Sequence, residues 1–202
     1  ILTNKDLEKM VETSDEWIVK RTGISERRVL DKNAPSYEMG LQAAKRALDD
    51  AGITAEDLDL IIVTTESPDY LVPSTSCIIQ GKLGASRAAA FDLNAACTGF
   101  IYGLTVAKQF IANGFYKYAL IIGIEGLSKV TDWEDRNTCV LFGDGSGATV
   151  LGPVEDGYGI MGTYLGADGK LGHNITLPCF HIDEPELEKR VHGNKNVVWM
   201  DG

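Results

Sequence analysis

The chain has 202 residues, of which 44% are hydrophobic and 24% charged, values close to the average for globular proteins. This composition excludes a disordered or fibrous protein, and the formal net charge of -10 argues against non-specific nucleic-acid binding. No run approaches the roughly 20 apolar residues of a membrane span, and the first residues lack a signal-peptide pattern. We therefore expect a cytoplasmic protein with no nucleic-acid or membrane partner.

Alternating helices and strands predict an α/β fold. Residues 36–51 place apolar side chains at helical spacing between Ser36, a predicted N-cap, and Gly52. The elements predicted next are a strand at 58–66, a helix at 73–84, a strand at 88–93, a helix at 98–114 and a strand at 118–124. This order predicts parallel strands with helices on both faces of the sheet.

Glycine-rich sequence follows residue 138. Residues 138–154 predict two strands around a tight turn at GDGSGA (143–148), and residues 157–173 predict further hairpins. A phosphate-binding loop is excluded because such loops run from a strand into a helix, whereas the β-like ATVLG follows here.

The four cysteines include no C-x-x-C pair, which predicts reduced thiols. Cys77 and Cys139 lie in apolar segments and are interpreted as small buried hydrophobes, and Cys179 as a loop residue. A zinc site formed by His173, Cys179 and His181 matches no common ligand spacing, so we predict no metal.

Cys97 stands out among the thiols by its position. The segment NAACTGF (94–100) places it between a predicted buried strand and an apolar helix. The unpaired amides at the start of a helix favour a nucleophilic thiolate, and the small neighbours Ala95, Ala96 and Gly99 leave room for a substrate. From this local pattern alone, a buried structural thiol remains the alternative.

A local cluster of positive charge contrasts with the acidic chain. The segment KRTGISERR (20–28) contains Lys20, Arg21, Arg27 and Arg28 against one acidic residue, Glu26. It predicts a surface patch suited to an anionic small molecule.

Four segments resemble, in order, the motifs of beta-ketoacyl-acyl-carrier-protein synthase III. They are TSDEWIVKRTGISERR (13–28), FDLNAACTGFIYGL (91–104), YALIIGIEGLSK (118–129) and DRNTCVLFGDGSGATVL (135–151). The resemblance implies a thiolase-like layered α/β/α/β/α fold and a homodimer, with this chain supplying mainly the first half. It assigns residues 1–152 to that half, without the family's first strand, and residues 153–202 to a truncated start of the second.

The resemblance also implies a reaction. Cys97 accepts an acyl group from acyl-coenzyme A, which is then condensed with malonyl-acyl-carrier protein to initiate fatty-acid synthesis. Coenzyme A enters as a thioester substrate, and no permanently bound cofactor is implied. The family's catalytic histidine and asparagine belong to the second half, and His173, His181 and His192 match neither.

Further site residues follow from the resemblance alone. Trp17 and Arg136 match the residues that sandwich the adenine of coenzyme A, Arg21 matches a phosphate contact, and Thr13 a polar contact to the adenine. Val72, Leu127 and Phe142 are assigned to the acyl pocket. Many relatives have a bulkier aromatic residue in place of Val72, so we expect tolerance of primers longer than acetyl.

Three alternatives stay open on the sequence. The first is another thiolase-superfamily condensing enzyme. The second is a non-catalytic fragment that binds an acyl carrier or partner chain, and the third is a cysteine hydrolase. The pair Trp17 and Arg136 favours synthase III over other condensing enzymes, and a hydrolase requires a histidine beside Cys97.

Overall fold

A computed structural model describes residues 1–179 and 196–201 of the chain. These residues form two compact units, each discontinuous in sequence. The sheet unit consists of Asn33–Glu125 and Gly145–Leu165. The tryptophan unit, named for Trp17, Trp133 and Trp199, consists of Ile1–Lys32, Gly126–Asp144 and the described part of Gly166–Gly202.

The helices and strands are numbered in chain order. They are β1 (Leu2–Thr3), α1 (Asn4–Leu7), α2 (Asp15–Thr22), β2 (Glu26–Arg27), α3 (Tyr37–Ala51), β3 (Leu60–Thr64), α4 (Thr75–Leu83), β4 (Ala89–Leu93), α5 (Gly99–Ala112), β5 (Ala119–Gly126), α6 (Arg136–Cys139), β6 (Asp144–Leu151), β7 (Ile175–Thr176) and β8 (Trp199–Met200). Short 3₁₀ turns lie at Ala55–Asp57, Ala96–Thr98, Leu127–Lys129 and Gly169–Asn174. Within the described residues, no helix combines the length and apolar character that a membrane crossing requires.

The sheet unit is built on a four-stranded sheet with the strand order β4-β3-β5-β6. Strand β3 is parallel to both β4 and β5, with Leu60 opposite Ala89 on one side and Ala119 on the other. Parallel neighbours place their carboxyl ends at the same edge of the sheet. The segments that follow β3, β4 and β5 therefore start from one edge, where ligands bind in open α/β sheets.

Side chains alternate between the two faces of this sheet and form two cores. One face packs against α3 and α4 through the buried strand residues Ile61, Val63, Leu120, Ile122 and Ile124. The other packs against α5 through Leu60, Ile62, Ala119 and Ile121. The predicted layering of helices on both faces is confirmed. Strand β4, predicted to be buried, instead lies at the end of the strand order and contains no fully buried residue.

The tryptophan unit has its own small core. Strands β1 and β2 pair antiparallel, with Leu2 opposite Arg27. The buried core residues are Leu7, Ile18, Cys139 and Val140, with Trp17 and Trp133 among the partly buried residues around them. Strands β7 and β8 form a second antiparallel pair.

The predicted helices and strands between residues 36 and 126 are confirmed, with ends shifted by a few residues. Helices α3 and α4 end at Gly52 and Gly84, which adopt left-handed backbone conformations with φ of 66° and 75°. Ser36 occupies the N-cap of α3, but its hydroxyl makes no cap hydrogen bond. Asp69 provides the cap instead, because its carboxylate accepts from Ser36 N and Tyr37 N, both at 2.9 Å.

The prediction of two strands around a glycine turn at 138–154 is wrong. Residues 136–139 form α6, and the glycine-rich segment lies largely within the single strand β6. Glycine at position 143 has a packing reason, since a Cβ there would lie 2.9 Å from Arg27 Cβ and 3.1 Å from Arg28 O. The hairpins predicted at 157–173 are also wrong, because these residues, all described, contain no strand.

Candidate active site

Cys97 lies where the chain turns from β4 into α5. It is the middle residue of the 3₁₀ turn Ala96–Thr98, directly before α5, and it is exposed. Ala96 has φ of 48°, and no other described non-glycine residue has positive φ. Such a conformation costs about 1–3 kcal/mol and is concentrated at functional sites, including the turns that present nucleophiles. The predicted junction of a strand with a helix start is confirmed.

The close approach of α5 to the sheet fixes this turn. Gly99, Gly103 and Ala107 are the buried residues of α5. A Cβ on Gly103 would lie 3.1 Å from both Ile121 Cγ2 and Thr64 Cγ2, and one on Gly99 would lie 3.3 Å from Thr64 Cβ. Because side chains larger than these would push the helix outward, the small residues hold the Cys97 turn against the carboxyl end of β3.

The four thiols have different surroundings. Cys139 is buried, and burial, with a further contribution from Asp135, raises the pKa of its thiol to about 11, which makes it a poor nucleophile. Cys77 is exposed, although we interpreted it as buried, and its Sγ lies 3.8 Å from Ala90 O. Cys179 is also exposed. Cys97 is therefore distinguished by its backbone position and not by exposure alone.

The tryptophan unit brings three of the predicted coenzyme A residues together. The guanidinium carbons of Arg21 and Arg136 each lie 4.7 Å from the centroid of the Trp17 ring, within cation-π range. Arg136 Nη1 also donates to Glu12 O at 3.1 Å. An aromatic ring between Trp17 and Arg136 requires about 7 Å, twice an ordinary stacking contact. In this structure Arg136 occupies that space itself.

Thr13 lies just before α2 in the same unit. Its hydroxyl oxygen is buried and has no hydrogen-bond partner among the described residues. Buried polar atoms are nearly always paired in folded proteins, so this hydroxyl is a candidate ligand contact.

The predicted basic patch at 20–28 is wrong as a continuous surface. Arg27 is only 5% exposed, and its guanidinium donates to Leu2 O, Asn4 Oδ1 and Val140 O at 3.3, 2.9 and 3.2 Å. Burial lowers the pKa of Arg27. Arg28 forms an ion pair with Glu26 at 2.6 Å. Lys20 and Arg21 are therefore the cations of this segment that could bind an anionic ligand.

The residues assigned to the acyl pocket are divided between the units. Val72, 86% exposed, belongs to the sheet unit together with Cys97. Leu127 and Phe142 are half-buried residues of the tryptophan unit.

Known proteins resemble this chain over its whole length. A model described as 3-oxoacyl-[acyl-carrier-protein (ACP)] synthase III matches residues 91–169, which include the Cys97 turn. All 202 residues align at 54% identity with beta-ketoacyl-[acyl-carrier-protein] synthase III of Caldanaerobacter subterraneus subsp. tengcongensis. The chain belongs to the ketoacyl synthase III family. It covers 61% of the length of that curated relative.

Solved ketoacyl synthase III structures share its fold. The enzyme of Aquifex aeolicus superposes with a TM-score of 0.85 at 48% identity, covering 93% of this chain and 62% of that one. The enzyme of Thermus thermophilus gives a TM-score of 0.89 at 40% identity, covering all of this chain and 61% of that one. The predicted α/β thiolase-like fold class is confirmed.

The metal prediction concerns residues that are only partly described. His181 and His192 lie outside the described residues, and His173 is in the 3₁₀ turn Gly169–Asn174. Within residues 1–179 and 196–201, no three His, Cys, Asp or Glu side chains are grouped so as to hold a metal ion.

Sequence reasoning missed a set of carboxylates in this ketoacyl synthase III chain. Asp144, the first residue of β6, accepts from Leu30 N at 2.6 Å and Ser128 N at 2.8 Å, and it therefore fixes the turn that carries Leu127. Glu125, near the end of β5, accepts from Glu66 N at 2.9 Å and Ser67 Oγ at 2.7 Å. The available signal for Glu125 was an acidic residue near the end of an apolar strand, and Asp144 had no comparable signal.

Proposed function

We propose that this chain is part of an enzyme that loads an acyl group from acyl-coenzyme A onto Cys97. The enzyme then condenses this group with malonyl-acyl-carrier protein, which initiates fatty-acid synthesis. The observation that carries the proposal is the exposed Cys97 on a strained turn between β4 and α5. Family membership supports the reaction type.

Acyl transfer is the step for which the described residues provide the nucleophile, Cys97, and backbone amides beside it. The Cys97 thiolate attacks the thioester carbonyl carbon, a new C–S bond forms, and the bond to coenzyme A breaks. The thiol proton of Cys97 ends on the sulfur of the released coenzyme A. Gly99 N, the first amide of α5, already donates to Ala96 O, but the amides that follow it in the first turn point toward the start of the helix and are suited to stabilise negative charge close to Cys97.

Condensation follows on the acylated cysteine. The malonyl thioester loses carbon dioxide, and its carbanion forms a C–C bond with the acyl carbon while the bond to Cys97 Sγ breaks. By resemblance, the histidine and asparagine that assist decarboxylation belong to the family's second half. None of His173, His181 and His192 is assigned to this role.

Trp17, Arg136, Arg21 and Thr13 support a coenzyme A site in the tryptophan unit. The proposed adenine ring stacks on Trp17, so Arg136 must leave its 4.7 Å contact with that ring and close over the other face of the adenine. Arg21 contacts a phosphate, because its guanidinium is a bidentate phosphate donor. The unpaired Thr13 hydroxyl contacts the adenine.

The acyl pocket and the homodimer belong to the same proposal. Val72 lies on an exposed apolar loop that, by resemblance, reaches the primer site of the partner subunit, and Leu127 and Phe142 are assigned to the acyl pocket by resemblance alone. Strand β4 supports a homodimer, since it lies at the end of the strand order and its Phe91 is 36% exposed. The cytoplasmic location expected from the sequence is also part of this proposal.

Mass spectrometry of the protein after incubation with acyl-coenzyme A tests the proposal. We expect one acyl group on the parent protein and on Cys77→Ser, because Cys77 is also an exposed thiol but lies outside the site. Cys97→Ser should remain unmodified in the same period. Acylation of Cys77 in preference to Cys97, or none in the complete enzyme, would contradict the assignment.

A further inference from the structure

The loop between β3 and α4 carries exposed apolar side chains. Tyr70, Leu71 and Val72 follow one another and are 55%, 57% and 86% exposed. A flexible loop of this composition would sample many conformations, and ordering each residue has an entropic cost. Specific contacts must therefore hold the loop if these three side chains are to have defined positions.

Two aspartates hold the loop in its middle and just beyond its end. Asp69 caps α3 by accepting from Ser36 N and Tyr37 N. Asp92 on β4 accepts from Thr75 N at 2.7 Å and Ser76 N at 2.8 Å at the start of α4. Both carboxylates satisfy backbone amides that have no partner within a helix, so each has an ordinary capping reason.

Glu125 holds the beginning of the loop, and unlike Asp69 and Asp92 it does not cap a helix. Oε1 accepts from Glu66 N at 2.9 Å and Oε2 accepts from Ser67 Oγ at 2.7 Å. Among the described residues, both of its hydrogen-bond partners belong to this loop. The two carboxylate oxygens thus connect the end of β5 to the first residues after β3.

The charge of Glu125 is unfavourable where it lies. Burial raises the pKa of its carboxyl group, and the neighbouring Glu66 carboxylate raises it further, whereas the two hydrogen bonds lower it. An apolar residue at the end of β5 would avoid this burial cost. The presence of a carboxylate at this position is explained if its two hydrogen bonds are needed to hold the loop.

We propose that Glu125 is a positioning residue that fixes the loop 65–72 and thereby sets how Tyr70, Leu71 and Val72 shape acyl-primer choice. The part concerning primer choice rests on the proposed function. Glu125 touches neither the primer nor the reacting atoms in this proposal. It acts only through the conformation of the loop.

Hydrogen exchange of the complete enzyme tests the positioning role without reference to activity. Glu125→Ala removes both bonds, so amide exchange in the peptide covering residues 65–72 should accelerate about fivefold to tenfold, the effect of losing a hydrogen bond. Glu125→Gln keeps an acceptor for Glu66 N and a donor for Ser67 Oγ, so exchange should stay within about twofold of the parent. Asp57→Ala is the matched control, because Asp57 accepts from Thr54 N and Thr54 Oγ1 in another loop.

Primer selection is measured on the same variants. We expect the ratio of kcat/KM for isobutyryl-coenzyme A to that for acetyl-coenzyme A to change about fivefold in Glu125→Ala, by the same loss of a hydrogen bond. The ratio should be unchanged in Glu125→Gln and Asp57→Ala. Unchanged exchange and ratio in Glu125→Ala would overturn the proposal, as would equal damage by Glu125→Gln.

Two further measurements keep the outcome decisive. If Glu125→Ala does not fold, Ser67→Ala removes one of the two bonds without creating a cavity beside β5 and should accelerate exchange in the same peptide. If the parent enzyme forms no ketoacyl product, the proposed function fails. The exchange experiment then still decides whether Glu125 fixes the loop.

Discussion

Replacing Gly40 by alanine tests how tightly α3 packs on the sheet. A Cβ at this position would lie 2.2 Å from Ile124 Cδ1 and 3.0 Å from Ile79 Cδ1. Both isoleucines are buried, with 2% and 0% exposure, and belong to the core between α3, α4 and the sheet. Ordinary contacts between carbon atoms are about 3.5–4.0 Å, so the overlap at Ile124 requires real displacement.

The magnitude follows from two opposing effects. Alanine in a helix interior is about 1 kcal/mol more favourable than glycine, whereas overpacking a core costs about 1–3 kcal/mol. Because the overlap at Ile124 is severe, we expect Gly40→Ala to lower the free energy of unfolding by about 2 kcal/mol. Gly81→Ala in α4 is the control, since a Cβ there meets nothing within 4 Å, and it should raise stability by up to about 1 kcal/mol.

A double-mutant cycle identifies the cause. Ile124→Val removes Cδ1, which makes the most severe overlap, and leaves only the milder 2.9 Å approach of Cγ1. Alone it should cost about 0.5–1.5 kcal/mol. The double variant should be more stable than the sum of the two single changes by about 1 kcal/mol or more, well above the usual additivity error. Urea unfolding curves give the four free energies. Additive effects, or a Gly40→Ala protein more stable than the parent, would refute this packing argument.

Three other predictions concern the candidate site. Cys139 should resist iodoacetamide in the folded protein at pH 7, because a pKa of about 11 leaves about one thiol in 10⁴ as thiolate. Cys97 should react readily under the same conditions. Peptide mapping in the presence and absence of denaturant measures the labelling of both cysteines. Trp17→Ala and Arg136→Ala should each weaken coenzyme A binding by about 1–2 kcal/mol in calorimetry, and unchanged affinity in both would remove them from the site. Because the pKa of Glu125 is raised, the folded state binds its proton more tightly, and the stability of the parent falls as pH rises through that pKa. The stability of Glu125→Gln relative to the parent should therefore increase from about pH 4 to about pH 8, and a decrease would contradict the assigned sign.

Local sequence signals predicted the sheet unit well. Helices α3 and α4 end at glycines that adopt the left-handed conformation, and β3 and β5 are short apolar runs. The Cys97 turn was predictable for the same reason, since a strand, small residues and a helix start are adjacent in sequence. What could not be read locally was the conformation of Ala96 or the exposure of β4.

Long-range contacts account for the errors. Arg27 was assigned to a charged surface, yet it donates to Val140 O across 113 residues. Gly143 was interpreted as a turn residue, whereas its role depends on the close approach of Arg27 and Arg28. Glu125 was missed because its partners follow β3, which is 59 residues away from it at Glu66. Spacing along the chain contains no information about such neighbours.

The interleaved sequence of the two units has a consequence for biosynthesis. Arg27 and Leu7 leave the ribosome before their partners Val140 and Cys139, which follow more than a hundred residues later, 113 in the case of Arg27 and Val140. At about 5–20 residues per second, translation leaves the first part of the tryptophan unit without its core for roughly 6–23 s. During that interval Leu7, Ile18 and Trp17 are available to chaperones, and a pause in translation before Cys139 is added prolongs their exposure.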